Sequence, residues 1–269
     1  MTKTAPLVLA LVSLVGLGCD EHKYDAILAE GGAASASAAA AKPPPSASAV
    51  ASTPPAAPAP PKKSVADCKP HTVDFTGQPD LEAEVRRKVG KDAGTITPAD
   101  LASIKSINLS RARIYQVDPC IFPMLTGLKG LFLGQGDYDD LTPIQKLTSL
   151  EDLNISMSQV KDLHAIEGLK RLDRLDLSHT QIGDTELKSV ASLVNLTELT
   201  LDQDSITDIS PVGSLSKLEM LSIKKTQVAS LQPLAGLKSL KKLYIADSNV
   251  SDISPVQPLM SSGLKLFEH

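Results

Sequence analysis

Residues 196–223 read LTELTLDQDSITDISPVGSLSKLEMLSI, and this stretch decides the fold. Leu196, Leu199 and Leu201 are followed 22 residues later by Leu218, Leu221 and Ile223 in the same L-x-x-L-x-L arrangement. Working outward, the arrangement recurs at Leu128/Leu131/Leu133, Leu150/Leu153/Ile155, Leu172/Leu175/Leu177 and Leu240/Leu243/Ile245, with starting leucines spaced 22, 22, 24, 22 and 22. A degenerate unit, Ile104/Ile107/Leu109, precedes them, giving about seven units. Other apolar positions recur in phase: Val160, Ile182, Ile206, Val228 and Val250; Leu163, Leu187, Ile209, Leu231 and Ile253; Leu169, Leu193, Leu215, Leu237 and Leu259. A fixed period of this length is the signature of a solenoid, in which no unit buries its apolar face without its neighbours.

The period-two alternation in L-x-x-L-x-L predicts a short strand in the first half of each unit, paired in parallel with the next. The second half carries Pro143, Pro211, Pro233 and Pro255. Proline lacks the N–H that a sheet needs, so these residues are expected on the convex side in turns or 3₁₀ segments. The unit beginning at Leu172 has two extra residues around Gly183-Asp184-Thr185-Glu186.

These units resemble the 22-residue leucine-rich repeats of the internalin type, above all in Ile206-Thr-Asp-Ile-Ser-Pro-Val212 and Val250-Ser-Asp-Ile-Ser-Pro-Val256. The resemblance covers roughly residue 67 to the C-terminus. It implies an α/β leucine-rich-repeat solenoid, with a curved parallel sheet on the concave side, and a broad role in binding other proteins. Nothing resembling a sortase signal or an immunoglobulin-like module follows the repeats, so a host-invasion role is not inherited.

The remainder of the chain is organised around that solenoid. Residues 1–18 carry one charge, Lys3, and then an uncharged Leu/Val/Ala run too short to span a bilayer comfortably, which reads as a signal peptide. The run ends in Gly16-Leu17-Gly18-Cys19, which resembles a bacterial lipobox with Leu one place nearer the cysteine than usual. Lipidation of Cys19 is expected, with ordinary signal cleavage as the alternative. Residues 19–66 form an Ala/Pro/Ser-rich tether that cannot bury enough apolar surface to order itself. Residues 67–103 are expected to form a helical cap. Pro79-Asp80 opens one helix, with Leu81, Val85 and Val89 along one side, and Thr97-Pro98-Ala99-Asp100 opens another as a capping box. The repeats occupy 104–261, and residues 262–269 are expected to close the far end.

Composition narrows the function. Aromatics are 3%, Trp is absent and the formal net charge is −4, which argues against nucleic acid. The histidines are scattered, and no phosphate loop, H-E-x-x-H or G-x-S-x-G occurs. No catalytic centre, cofactor or metal is expected. Asp137, Asp139 and Asp140, and Asp202 with Asp204, lack the loop pattern of a calcium site and are read as surface turns. With Cys19 lipidated, Cys68 and Cys120 are an even pair in an exported protein, and they form either one disulfide or a free pair with Cys120 as a small core residue.

The outward positions of the strands are the candidate protein-binding residues: Phe132, Asp152, Asn154, Arg174, Asp176, Glu198, Thr200, Asp202, Lys224, Lys242 and Tyr244. Phe132 and Tyr244 stand out as expected exposed aromatics, serving either as anchors or as shields for the solenoid ends. The functional expectation is a monomeric, non-enzymatic lipoprotein of the cell envelope. It would face the periplasm or cell surface, be held to the membrane by its lipid, and bind an unidentified protein partner. The alternative is a structural envelope component, or an accessory protein that recognises glycan or peptidoglycan.

Overall fold

The computed structural model describes residues 61–69 and 72–268. The expected signal peptide, Cys19 and most of the tether lie outside the described residues, as do His71 and His269.

Among the described residues, two α-helices precede the repeats. Helix α1, Pro79–Val89, starts at its proline and stops at Gly90, whose φ of 69° supplies the left-handed residue that ends many helices. Helix α2, Pro98–Ser103, has the anticipated capping box: Thr97 Oγ1 accepts from the Asp100 N–H, and the Thr97 N–H donates to Asp100 Oδ2 at 2.8 Å. Leu81, Val85 and Leu101 turn inward and join one continuous apolar core with the repeats. The end of that core would otherwise be open to water.

Strands β1 (Ser106–Asn108), β2 (Gly130–Phe132), β3 (Asp152–Asn154), β4 (Arg174–Asp176), β5 (Glu198–Thr200), β6 (Met220–Ser222) and β7 (Lys242–Tyr244) pair in sequence order, all parallel. The register follows the repeat, with Gly130 opposite Asp152 and Asp152 opposite Arg174. The two extra residues before β5 place Arg174 opposite Glu198. Those residues are absorbed in a helical turn, α3 (Asp184–Leu187). The central residue of each strand, such as Leu131, Leu175 or Leu221, is at most 2% exposed, so the two flanking residues face outward.

The convex side consists of 3₁₀ segments that open as the prolines require: Thr142–Ile144, Ser210–Ser214, Gln232–Leu234 and Ser254–Val256 each have Pro in their first turn. An Asp two residues upstream accepts the first N–H at Thr142, His164, Ser210 and Ser254, at 2.7–2.9 Å. This is an Asx turn repeated in four of the coils.

At the far end, after α4 (Gln257–Ser261), residues Lys265–Phe267 add an eighth strand, β8, with Leu266 opposite Leu243 and Phe267 opposite Tyr244. Leu264 is buried and Leu266 half-buried, so these apolar residues continue the core as the earlier units do.

At the near end, Cys68 and Cys120 form a disulfide. The last tether residues are in contact with the body of the fold. The Lys63 N–H donates to Gln116 Oε1 at 2.7 Å, and Lys62 pairs with Asp139 at 3.0 Å.

Candidate functional site

The outward positions of β2–β8 form two rows, set side by side by the parallel register. The first runs Gly130, Asp152, Arg174, Glu198, Met220, Lys242, Lys265, and the second runs Phe132, Asn154, Asp176, Thr200, Ser222, Tyr244, Phe267. All the expected face residues on the strands therefore share one surface, and Asp202 and Lys224 follow on the next outward positions.

Part of the charge on this surface is internally matched. Arg174 makes a forked contact with Asp152, with Nη2 at 2.8 Å from Oδ2 and Nε on Oδ1, and this raises the guanidinium's proton affinity further. Asn154 Nδ2 donates to Asp176 Oδ2 at 2.8 Å, while Asp176 Oδ1 accepts from the Ser178 N–H and hydroxyl. Burial raises the Asp176 carboxyl above the ordinary range despite those donors, and the Asp202 charge adds to the rise. Asp202 Oδ1 accepts from the Ser222 hydroxyl at 2.6 Å and the Lys224 N–H at 2.8 Å, and its Oδ2 lies 3.1 Å from Lys224 Nζ. Lys242 is exposed and makes no ion pair among the described residues.

Neither expected aromatic stands free; both are half-buried. Tyr244 stacks on Phe267 with ring centroids 4.4 Å apart, and Lys224 Nζ lies 5.8 Å from the Tyr244 ring. Phe132 lies over Gly130, where a Cβ would stand 3.2 Å from its Cε2. A side chain on a parallel sheet has close neighbours on the adjoining strands, and a ring takes whatever partner or gap they offer. The partner of Tyr244 is on β8, a strand the repeat pattern had not included.

Two further rows escaped the sequence reading. Met157, His179, Gln203, Lys225 and Asp247 all have positive φ, between 55° and 63°. The N–H groups of the first four reach the next coil, as in His179 N to Asp202 O at 2.8 Å. The residue after each is Ser158, Thr180, Asp204, Thr226 or Ser248, a polar group tucked beneath the turn. The signal was present as a polar residue three places after the last apolar residue of each strand motif. Asp204, read as a surface turn, is 4% exposed, because the turn carries it under the sheet edge. Asp137, Asp139 and Asp140 are surface groups held by Arg113, Lys62 and the Thr142 N–H respectively. Among the described residues no group of three His, Cys, Asp or Glu could hold a metal ion, and no helix is long and apolar enough to cross a membrane.

No family model and no curated protein sequence matches the chain. Solved structures do. Internalin C2 of Listeria monocytogenes superposes with a TM-score of 0.63 at 32% identity, over 71% of this chain and 93% of that one. Another internalin of that organism gives 0.58 at 24% identity, over 70% of this chain and 62% of its own. A leucine-rich-repeat protein of Leptospira interrogans gives 0.56 at 22%, over 62% and 43%. The latter two share the fold alone. The match to internalin C2 spans nearly that whole chain at 32% identity, and on that ground this protein belongs to the internalin family of leucine-rich-repeat proteins.

Proposed function

We propose that the protein is a non-catalytic interaction module, displayed from a bacterial membrane by a lipid on Cys19, that binds a protein partner through the face between Phe132 and Tyr244. The observation that carries the reading is the prearranged polar surface itself. Arg174–Asp152, Asn154–Asp176 and Lys224–Asp202 are held in fixed geometry by neighbouring strands, so a partner meets oriented groups and little side-chain freedom is lost on binding. The family supplies the broad role, and nothing on this surface resembles a reaction centre. A glycan would need open aromatic faces, and Tyr244 and Phe267 cover each other on one side.

The test is affinity capture from the native envelope with the chain from residue 61 onward, beside a variant carrying Arg174→Glu, Asp176→Lys and Tyr244→Ala, with circular dichroism to verify folding. Capture of one protein by the parent and its loss with the folded variant supports this face. Equal capture by both sinks it. Membrane display is tested separately by metabolic labelling with an alkyne fatty acid, which Cys19→Ala should abolish.

A further inference from the structure

We propose that Asp204 is held as a neutral carboxylic acid in the folded protein, making the junction between the fourth and fifth strands a proton-operated joint that tightens in acid and loosens as the pH rises to neutral. Asp204 is 4% exposed. Its Oδ1 accepts from the Thr180 N–H at 2.7 Å and the Thr180 hydroxyl at 3.1 Å, while its Oδ2 is fully buried with no hydrogen-bond partner among the described residues. The equivalent positions in neighbouring coils hold Ser158, Thr180, Thr226 and Ser248, all uncharged, so the pocket under each turn is built for a neutral polar group. An ionised carboxylate there would keep one buried oxygen without a protein donor.

The surrounding charges do not rescue it. Asp176 from the β4 coil and Asp202 from its own coil are both negative and both raise its proton affinity. Lys224, from the β6 coil, is already engaged with Asp202 Oδ2. The flanking turn residues His179 and Lys225 are exposed, and the Thr226 hydroxyl donates to the Ile223 carbonyl instead. Burial dominates, and with the two like charges it outweighs the two donors on Oδ1, so the carboxyl is pushed up to about 7.

The sign follows from linkage. A folded-state proton affinity above the unfolded one favours folding fully below about pH 4, and that advantage is lost as pH climbs to about 7, after which it is flat. The joint therefore responds in the range between acidified and neutral surroundings.

Chemical denaturation of the full chain and of Asp204→Asn, from pH 4.5 to 8.5, tests the proposal. The ratio of their folding constants should change in favour of Asn by up to about tenfold per pH unit from pH 4.5 to 7, then level off. A ratio that is the same at pH 5 and pH 8 overturns the proposal. Asp204→Ser, which copies the neighbouring coils, should show the same trend if the Asn variant folds poorly. Carbon-13 NMR of the aspartate carboxyls gives an independent reading. One midpoint near 7 that vanishes in either variant is the expected result, and aspartates that all titrate below pH 5 overturn it.

Discussion

Lys63 Nζ lies 3.2 Å from Oδ2 of Asp118, a carboxylate with no exposed side-chain surface that sits in the turn between β1 and β2. Asp118 Oδ1 accepts the N–H groups of Cys120 and Ile121 at 2.8 and 3.0 Å, so Lys63 supplies the charge that balances this oxygen. The residues just ahead of the cap thus complete the first coil. Truncating Lys63 to Ala leaves a buried, uncompensated anion, and the expected cost is about 3 kcal/mol in urea denaturation. A loss under about 1 kcal/mol would mean that water reaches Asp118 and the pair is not structural.

The disulfide ties the same two segments. Cys68 and Cys120 are 52 residues apart, and closing a loop of that length removes about 4 kcal/mol of unfolded-chain entropy at 25 °C. Cys120→Ser is expected to lower stability by about 2–4 kcal/mol, read from the denaturation midpoint, and dithiothreitol should have the same effect on the parent and none on the variant.

Gly136 and Gly236 should respond unequally to alanine. A Cβ at Gly136 would fall 1.7 Å from the Ile114 carbonyl oxygen, where the two backbones form an isolated bridge, while one at Gly236 meets nothing within 4 Å. Gly136→Ala is expected to cost about 2–3 kcal/mol through a forced backbone shift. Gly236→Ala should change stability by at most about 0.5 kcal/mol. Calorimetric melting temperatures separate the two.

The left-handed row gives a finer contrast at Lys225, whose φ is 55° while its N–H bonds the Ala246 carbonyl. A β-branched residue is strained there, so Lys225→Val should lose about 1–2 kcal/mol. Lys225→Gly should be near neutral, because relief of the left-handed strain and the added freedom of the unfolded chain oppose each other at about 1 kcal/mol each. Equal losses in both variants would show that the lysine side chain matters, not the backbone.

Acid should weaken the N-terminal cap independently of Asp204. The Lys91 ammonium, with the Thr97 N–H and hydroxyl, holds the Asp100 carboxyl down at about 2. A depressed value contributes stability above about pH 4 that is lost as pH falls toward 2. Asp100→Asn should therefore be less stable than the parent at pH 7 and indistinguishable from it near pH 2, as followed by far-ultraviolet circular dichroism.

The first seven coils, the order and direction of pairing, and the outward rows were legible in the sequence, because an apolar motif that recurs every 22 to 24 residues sets neighbouring coils in one parallel stacking. The prolines and the Thr97–Asp100 box marked their own turns because their geometry is local. What lay outside that reach depends on contacts between coils. Cysteine counting had offered the Cys68–Cys120 bond as one of two readings, and only the fold decides for it; the Lys63–Asp118 pair joins segments some fifty residues apart, and no spacing rule states that these groups meet. The stacking of Tyr244 on Phe267 required β8, whose register is 23 residues and whose motif is truncated. Asp204 looked like a solvated turn because Asp usually is; only the left-handed backbone at Gln203 carries it beneath the sheet, and burial, not residue type, decides whether a carboxyl keeps its proton.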